Sequence, residues 1–210
     1  MNKKQTILFG DLYLSSDLSY AYQKDPQPFD YGQEYWQRYN DLENTEISKK
    51  LNQFRCDFVE KYVDSLLDVG IGSGAFIKQT KAKAYGFDIN PFAVEYLKKN
   101  NLFFDPYENK ILPFSGWTFW DCIEHMKNPE SILCKVKKGQ FVFLSIPIFS
   151  DLTKVKQSKH YKPNEHVLYF TSAGLIKYMN KMDFVCIEIS DEETVVGRDN
   201  ILSFAFKKQL

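Results

Sequence analysis

The chain has 210 residues, of which 44% are hydrophobic and 16% aromatic, a composition typical of one globular domain with a sizeable core. Its 27 basic and 27 acidic residues cancel, so no net charge attracts a polyanion, and nucleic acid is not expected as a partner. The four cysteines form no C-x-x-C pair and no apolar run could span a bilayer, so we expect a soluble, cytoplasmic protein with reduced thiols, no disulfide framework and no metal site.

The first 45 residues are rich in Tyr, Asp, Ser and Pro, which predicts an irregular arm that ends in a short aromatic helix. The aromatic residues that suggest a lid over a ligand, or else a satellite aromatic cluster, are Tyr31, Tyr35, Trp36 and Tyr39. From Thr45 apolar residues recur at helical spacing, with Thr45 or Ser48 placed to cap the helix. We therefore predict an N-terminal aromatic arm or lid at 1–45 and a main domain at 46–210.

Strands and helices alternate through the main domain. Apolar runs predict strands at 65–69, 84–89, 116–126, 139–149, 184–190 and 201–208, and helical patterns follow at 74–83, 90–100 and 171–182. Strands that alternate with helices predict a doubly wound, mostly parallel α/β sheet. The last two strands are joined by a short polar connection, which predicts an antiparallel hairpin.

The segment SLLDVGIGSGAFI, residues 65–77, joins the first of these strands to its helix, where open α/β sheets bind ligands. The dinucleotide pattern G-x-G-x-x-G/A is satisfied by Gly70, Gly72 and Ala75. Asp88 follows at about the 20-residue distance where an acid holds ribose hydroxyls in such sites. However, a carboxylate at Asp68 would repel a pyrophosphate bound beside it, whereas a cationic ligand without phosphate would tolerate it.

Gly74 extends the pattern to D-x-G-x-G-x-G, which resembles motif I of the class I S-adenosylmethionine-dependent methyltransferases. Later stretches resemble the same family in the expected order: GFDINPFAVEYL, FWDCIEHMKNP, GQFVFLSIP and EHVLYFTSAGLIKYMNKMDF. The FWDCIEHMKNP stretch is similar to the small-molecule branch typified by ubiquinone-biosynthesis O-methyltransferases. The resemblance implies a Rossmann-like methyltransferase fold with a seven-stranded sheet and an antiparallel last strand. It also implies S-adenosylmethionine as the cofactor and S-adenosylhomocysteine as its product.

The resemblance further assigns roles to single residues. The implied cofactor-binding residues are Arg55, Asp68, Gly70, Gly72, Gly74, Asp88, Ile89, Trp120 and Asp121. Asp88 would hold the ribose hydroxyls, and Arg55 would reach the cofactor carboxylate. Purely structural roles stay open for three of these residues: Arg55 could lie on a solvated helix face, Asp68 could cap a helix, and Trp120 could pack in the core.

Methyl transfer from a sulfonium is an in-line displacement, which needs alignment and exclusion of water but no nucleophilic side chain. If the acceptor is a hydroxyl or an amine, a general base helps, and histidine suits that role near neutral pH. The chain has three histidines. His125 follows the strand at 116–126, at the edge where an acceptor should enter, while His160 and His166 flank YKPNE. Lysines around His160 predict an acidic or phosphorylated acceptor or, by default, a solvated surface.

The acceptor is predicted to be an O or N atom of a small molecule, or of a group on a glycan or nucleotide. The (D/N)PP(Y/F) element and the Pro-Cys dipeptide of DNA methyltransferases are both missing from the sequence. We expect a monomer or a homodimer. Two other interpretations stay open: an NAD(P)-binding oxidoreductase on the literal glycine pattern, and a non-catalytic member of the fold that binds a cofactor or serves as a scaffold.

Overall fold

The structure is a computed structural model that describes residues 6–108 and 113–210. Its strands are Thr6–Phe9 (β1), Leu12–Leu14 (β2), Tyr20–Gln23 (β3), Ser65–Val69 (β4), Lys83–Phe87 (β5), Gly116–Trp120 (β6), Phe141–Pro147 (β7), Leu168–Phe170 (β8), Phe184–Ser190 (β9) and Ile201–Lys208 (β10). Its α-helices are Gln33–Leu42 (α1), Glu46–Glu60 (α2), Ala75–Gln79 (α3), Pro91–Lys99 (α4), Glu130–Leu133 (α5), Ser172–Asn180 (α6) and Glu192–Val195 (α7). Short 3-10 helices lie at Ile123–His125 and Leu152–Gln157.

The main sheet has the strand order β5-β4-β6-β7-β10-β9. The pairs from β5 to β7 are parallel, whereas β10 runs antiparallel to both β7 and β9. Because parallel neighbours require crossover connections, the helices between them lie on the two faces of the sheet. The doubly wound, mostly parallel α/β fold and the antiparallel final hairpin are thereby confirmed.

The sheet has six strands within the described residues, one fewer than predicted. At the expected seventh position, Phe103 makes a single parallel bridge to Gly86, and Phe104 N–H donates to the Gly86 carbonyl over 3.0 Å. Alternate residues donate along a parallel ladder, so the next donor would be residue 106. That residue is Pro106, which has no N–H to donate. The pairing along the outer edge of β5 is therefore limited to a single bridge.

Alternating residues of the strands feed two hydrophobic cores. On β4, Leu66 packs with residues of α2 and α4, whereas Leu67 packs on the opposite face with residues of α5 and α6. Both leucines are fully buried, as expected for a strand covered on both faces. Caps also match the sequence pattern: Thr45, Asn90 and Thr171 accept backbone N–H groups at the starts of α2, α4 and α6.

Residues 6–23 are not an irregular arm, and that prediction is wrong for this part of the chain. They form β1 to β3, which pair with β8 in an antiparallel sheet of order β1-β2-β3-β8. The partner strand β8 is distant in sequence, so a local pattern could not reveal the pairing. A Cβ on Gly174 in α6 would lie 1.8 Å from the Ser19 carbonyl oxygen, which shows how closely this sheet packs on the main domain. The division at residue 45 stays a prediction.

The aromatic helix predicted near the end of the arm is present as α1, and α3 is shorter than its predicted range because Thr80 leaves the helical conformation. Among the residues that the structure describes, no helix is both long and apolar enough to cross a membrane.

Candidate active site

The glycine loop connects β4 to α3 at the carboxyl edge of the main sheet. Gly70, Gly72 and Gly74 all have left-handed backbones, with φ of +81°, +54° and +76°. A Cβ on Gly70 would lie 2.8 Å from the sulfur of Cys122, so a side chain is excluded by sterics as well as by conformation. The loop is thus bare of side chains where it faces the turn that follows β6.

Asp68 lies on β4, two residues before this loop, and is 1% exposed. The Thr118 hydroxyl donates a 2.6 Å hydrogen bond to one of its carboxylate oxygens. Burial raises the pKa of Asp68 to about 7, against the opposing effects of Thr118 and of Arg55. Asp68 does not cap α3, because the N-cap residue is Gly74 and no side chain bonds there.

Asp88 follows β5 and faces the glycine loop. One carboxylate oxygen accepts a 2.8 Å hydrogen bond from Asn90 N–H. Burial raises the pKa of Asp88, while backbone N–H groups that include those of Ile71 and Gly72 oppose the increase. Ile89 beside it is 70% exposed, an apolar side chain left open at this edge. The structure therefore brings Asp88 and the glycine loop together, while the role of Asp88 and Ile89 in binding a cofactor stays a prediction.

Arg55 is the centre of a buried ion cluster and does not lie on a solvated helix face. Its guanidinium donates to Glu193 at 2.8 Å, to Asp121 at 2.9 Å and to Ser145 at 3.0 Å. Arg198 also donates to Asp121 and to Glu193. Two arginines therefore hold the pKa of Asp121 well below its usual range. Glu193 and Asp121 accept hydrogen bonds from Nε and one terminal nitrogen of Arg55. The predicted contact of Arg55 with a cofactor carboxylate stays a prediction.

Trp120 is 6% exposed and packs in the core, as the alternative interpretation had it. Its ring meets Phe76 edge-on at 5.5 Å, and the Arg55 guanidinium lies 4.9 Å from the ring centre. Asp121, the next residue, has a left-handed backbone with φ of +51°. A non-glycine residue in this region is strained, and the two arginines that bind its carboxylate are placed to hold it there.

Two of the three predicted histidines come together just beyond β6. The rings of His125 and His166 are 4.7 Å apart between centroids and nearly perpendicular. Burial lowers the pKa of both, that of His166 to about 3, so both imidazoles are neutral at physiological pH. The side chain of His160 points elsewhere: its Nε2 lies 2.7 Å from the Asp199 carbonyl oxygen, although its own main-chain carbonyl contacts His166.

Aromatic residues of α1 and of the segment before it cover this edge of the sheet. The Tyr39 ring lies against Gly72, 3.4 Å from where a Cβ would be, and its hydroxyl is 3.1 Å from that of Tyr35. The Tyr31 hydroxyl lies 3.2 Å from His125 Nδ1. Burial raises the pKa of all three tyrosines, so their hydroxyls stay protonated. One aromatic cover thus contacts both the glycine loop and His125.

The comparison with protein-family models matches a family described as a methyltransferase domain over residues 35–189. The chain belongs to this family. No curated protein matches it in sequence.

Solved structures share the fold of this methyltransferase domain at low sequence identity. Human N-acetylserotonin methyltransferase, in complex with SAM, is 14% identical with a TM-score of 0.62, over 84% of this chain and 56% of that one. The Burkholderia thailandensis 1,6-didemethyltoxoflavin-N1-methyltransferase is 14% identical with a TM-score of 0.57, over 91% and 96%. A SAM-dependent methyltransferase from Archaeoglobus fulgidus is 18% identical with a TM-score of 0.58, over 81% and 99%.

Some functional candidates of the methyltransferase domain were not predicted from the sequence. One of them is Glu124, which is buried beside the two histidines. Glu193 and Arg198 complete the ion cluster around Arg55. Glu124 could have been suspected because it precedes His125 in the motif. Glu193 belongs to the polar run DEET, where nothing distinguishes the one buried acid from its exposed neighbours.

Proposed function

We propose that this methyltransferase domain transfers a methyl group from S-adenosylmethionine to an O or N atom of a small molecule, or of a group on a glycan or nucleotide, and releases S-adenosylhomocysteine. The observation that carries the proposal is Asp88 facing a loop in which three left-handed glycines carry no side chain. Such a loop admits a nucleoside and an amino-acid tail close to the backbone, and an acid at the end of the next strand suits ribose hydroxyls.

The charges of the site suit a cationic cofactor. Asp68 lies on β4 just before the glycine loop, Asp88 follows the neighbouring strand β5, and burial raises the pKa of both carboxyls. A ligand that carries ammonium and sulfonium groups would favour their ionised forms, whereas a pyrophosphate would oppose them. Ile89 offers an apolar surface on which an adenine ring could rest. These features favour S-adenosylmethionine over a nicotinamide dinucleotide.

The bound cofactor would supply a methyl group that is already activated by its positive sulfur. The residues of the chain then have to align the acceptor and exclude water. The aromatic cover of Tyr31, Tyr35 and Tyr39 is placed to exclude water. His125 and His166, both neutral, are placed to orient a hydroxyl or amine and to take up its proton.

Among these acceptors, the charges of the chain and the structural neighbours favour a small molecule without a large negative charge. Of the lysines that predicted an acidic or phosphorylated acceptor, Lys159 pairs with Asp199 and Lys162 pairs with Glu165. These ion pairs offset the charge of two of the four lysines in that stretch, which are Lys154, Lys156, Lys159 and Lys162. The named acceptors of the human and Burkholderia neighbours, N-acetylserotonin and 1,6-didemethyltoxoflavin, are small molecules, which supports the same class here.

Titration calorimetry tests the cofactor. S-adenosylhomocysteine and NADH are titrated separately into the wild type, Asp88→Ala and, as a matched control, Glu95→Ala, which removes an exposed acid of nearby α4. We expect the wild type and Glu95→Ala to bind S-adenosylhomocysteine equally well. Asp88→Ala should bind it at least about 10-fold more weakly, because the contact of Asp88 with the ribose hydroxyls is lost. None of the three proteins should bind NADH. Binding of NADH alone would contradict the proposal, as would binding of neither ligand.

A second experiment tests the transfer step. The wild type is incubated with S-adenosylmethionine labelled on its methyl group and with fractionated pools of small molecules, glycans and tRNA. We expect label in the small-molecule pool. A protein that binds S-adenosylhomocysteine but labels no pool would support the non-catalytic alternative instead.

A further inference from the structure

The carboxylate of Glu124 is buried without a partner. The residue is 1% exposed, and neither of its side-chain oxygens has a hydrogen-bond partner within the described part of the chain. An ionised carboxylate is strongly unfavourable in this state, so such groups are protonated, paired or bound to a metal ion. The burial of Glu124 therefore requires a proton or a cation on its carboxylate.

Metal-ligating atoms surround that carboxylate. One ligand atom each from Glu124, His125 and His166 lie within 4.8 Å of one another. His166 Nδ1 is 3.0 Å from the His160 carbonyl oxygen, and because a carbonyl can only accept, Nδ1 carries the hydrogen. This leaves the lone pair on Nε2, and a carbonyl that orients the ring from behind is the usual partner of a metal-binding histidine.

The basic side chains near Glu124, those of Arg198 and Lys162, form ion pairs with other acids. Arg198 donates to Asp121 at 2.8 Å and also pairs with Glu193, while the Lys162 ammonium lies 3.5 Å from a Glu165 oxygen. Asp121 in turn is bound by two arginines. Neither Arg198 nor Lys162 hydrogen-bonds to Glu124. The charge of Glu124 is therefore left to a proton or to a metal ion.

We propose that Glu124, His125 and His166 bind one divalent first-row transition-metal ion. Two imidazoles and one carboxylate suit zinc, iron or manganese, whereas magnesium and calcium favour all-oxygen sites. The three ligands lie on two segments fixed to each other, since the Val167 N–H donates to the Glu124 carbonyl over 2.7 Å. A site with three protein ligands leaves coordination positions open.

The open coordination positions of the metal ion suit a particular class of methyl acceptor. This part of the inference rests on the proposed function. The cluster follows Cys122, whose sulfur borders the glycine loop, so a ligand of the metal would lie on the acceptor side of the cofactor. A metal ion lowers the pKa of a hydroxyl that it binds, which favours an oxygen acceptor. The oxygen–methyl bond forms as the sulfur–methyl bond breaks, the electron pair of the broken bond stays on sulfur, and the hydroxyl proton leaves to solvent. With the metal ion bound, the two imidazoles are occupied as its ligands, and the metal ion replaces them in activating the acceptor hydroxyl.

The test measures metal binding directly. The full chain is made metal-free by chelation in a Cys134→Ser background, because that exposed thiol could bind zinc by itself. Zn²⁺ and Mg²⁺ are titrated by calorimetry, and the visible spectrum is recorded with Co²⁺. We expect one Zn²⁺ per chain, far weaker binding of Mg²⁺, and a Co²⁺ spectrum without a sulfur charge-transfer band.

Variants then locate the site. Glu124→Gln and His166→Gln should each weaken Zn²⁺ binding by at least about 10-fold. The control His160→Gln should bind Zn²⁺ as the wild type does, because the group that His160 offers to His166 is its main-chain carbonyl. Glu124→Gln keeps the shape of the side chain and removes a buried charge, so its metal-free form should unfold at a urea concentration no lower than that of the wild type.

Several results would overturn the metal site: no Zn²⁺ binding by the wild type, equal binding by Glu124→Gln, or Mg²⁺ bound as tightly as Zn²⁺. In the first case Glu124 is held as a neutral acid. S-adenosylhomocysteine is titrated into the same samples. If S-adenosylhomocysteine binds and zinc does not, the metal site alone fails; if zinc binds and S-adenosylhomocysteine does not, the proposed function fails and the metal site stands.

Discussion

The hydroxyl of Tyr31 lies 3.2 Å from Nδ1 of His125, although 94 residues separate them in sequence. This contact joins the segment before α1 to the turn after β6. A second bond joins the same segment to α4, where the Asn90 amide donates to the Gly32 carbonyl over 3.2 Å. The aromatic cover is thus held at two points, the turn after β6 and the start of α4.

Replacement of Tyr31 by Phe keeps the ring and removes the hydroxyl. Loss of one partly buried hydrogen bond costs about 1 kcal/mol. Here it should lower the local stability of the aromatic cover and leave that of the core unchanged. We expect faster amide hydrogen exchange in α1 and unchanged exchange in α6, measured by mass spectrometry. Tyr107→Phe, at an exposed tyrosine, is the control and should change neither helix. Unchanged protection of α1 in Tyr31→Phe would show that this contact does not anchor the cover.

Gly70→Ala should destabilise the fold for two reasons that a control separates. The left-handed backbone costs about 1–2 kcal/mol with any side chain, and the new Cβ would meet Cys122 Sγ at 2.8 Å. Gly139 has a similar φ of +85° with nothing within 4 Å of its Cβ position. In urea unfolding, Gly70→Ala should lose at least about 1 kcal/mol more than Gly139→Ala. A Cys122→Gly background should remove this excess, and equal losses in both single variants would refute the steric account.

Glu193→Gln should be strongly destabilising. The residue is fully buried and bonds to both Arg55 and Arg198, so the substitution leaves two guanidinium groups short of a countercharge. Breaking a buried ion pair from one side costs about 3–5 kcal/mol. Glu188→Gln removes a more exposed acid that pairs with Lys61, and should cost less than about 1 kcal/mol. Urea midpoints that shift equally for the two variants would argue against a structural role of the buried cluster.

Asp68→Asn should change how stability depends on pH. Burial raises the pKa of Asp68 from its ordinary 3.8 to about 7, with Arg55 lowering it and Asp88 raising it. Between these values the folded protein binds more protons at this group than the unfolded chain does, so the contribution of Asp68 to stability falls as pH rises. Asparagine can still accept the Thr118 hydrogen bond but does not ionise.

The variant should therefore gain stability relative to the wild type from about pH 4 to pH 7, by up to about 4 kcal/mol, and the difference should level off above pH 7. The free energy of unfolding is measured in urea at each pH for both proteins. Parallel pH profiles would mean that Asp68 has the same pKa in the folded and unfolded states.

The order of elements in the main domain could be predicted because its information is local. The apolar run at 65–69 predicts a strand that the structure has as Ser65–Val69, and Asn90 with Pro91 predicts the start of α4. The loop glycines and Asp88 could be predicted for the same reason, since a fixed spacing of a few residues around one strand end defines them. Strand periodicity and cap chemistry involve residues that are close along the chain, so they can be recognised before the fold is known.

The cover and the second sheet could not be predicted in this way. Tyr20 pairs with Phe170 across most of the chain, and short strands such as β2 and β8 carry too little alternation to be recognised alone. The seventh strand is the opposite case: the resemblance implied it, but Pro106 removes the donor that the ladder needed.

By itself, the sequence determined the α/β class, the glycine loop and its acid, because each depends on residues that are close along the chain. Only the tertiary structure decided that Arg55 pairs with Glu193, that Tyr31 reaches His125, and that the Glu124 carboxylate lies near His166 with no hydrogen-bond partner among the described residues. These contacts join segments whose spacing in sequence carries no information about their distance in space. The chemistry of a buried carboxylate is set by what surrounds it, and the fold supplies those surroundings.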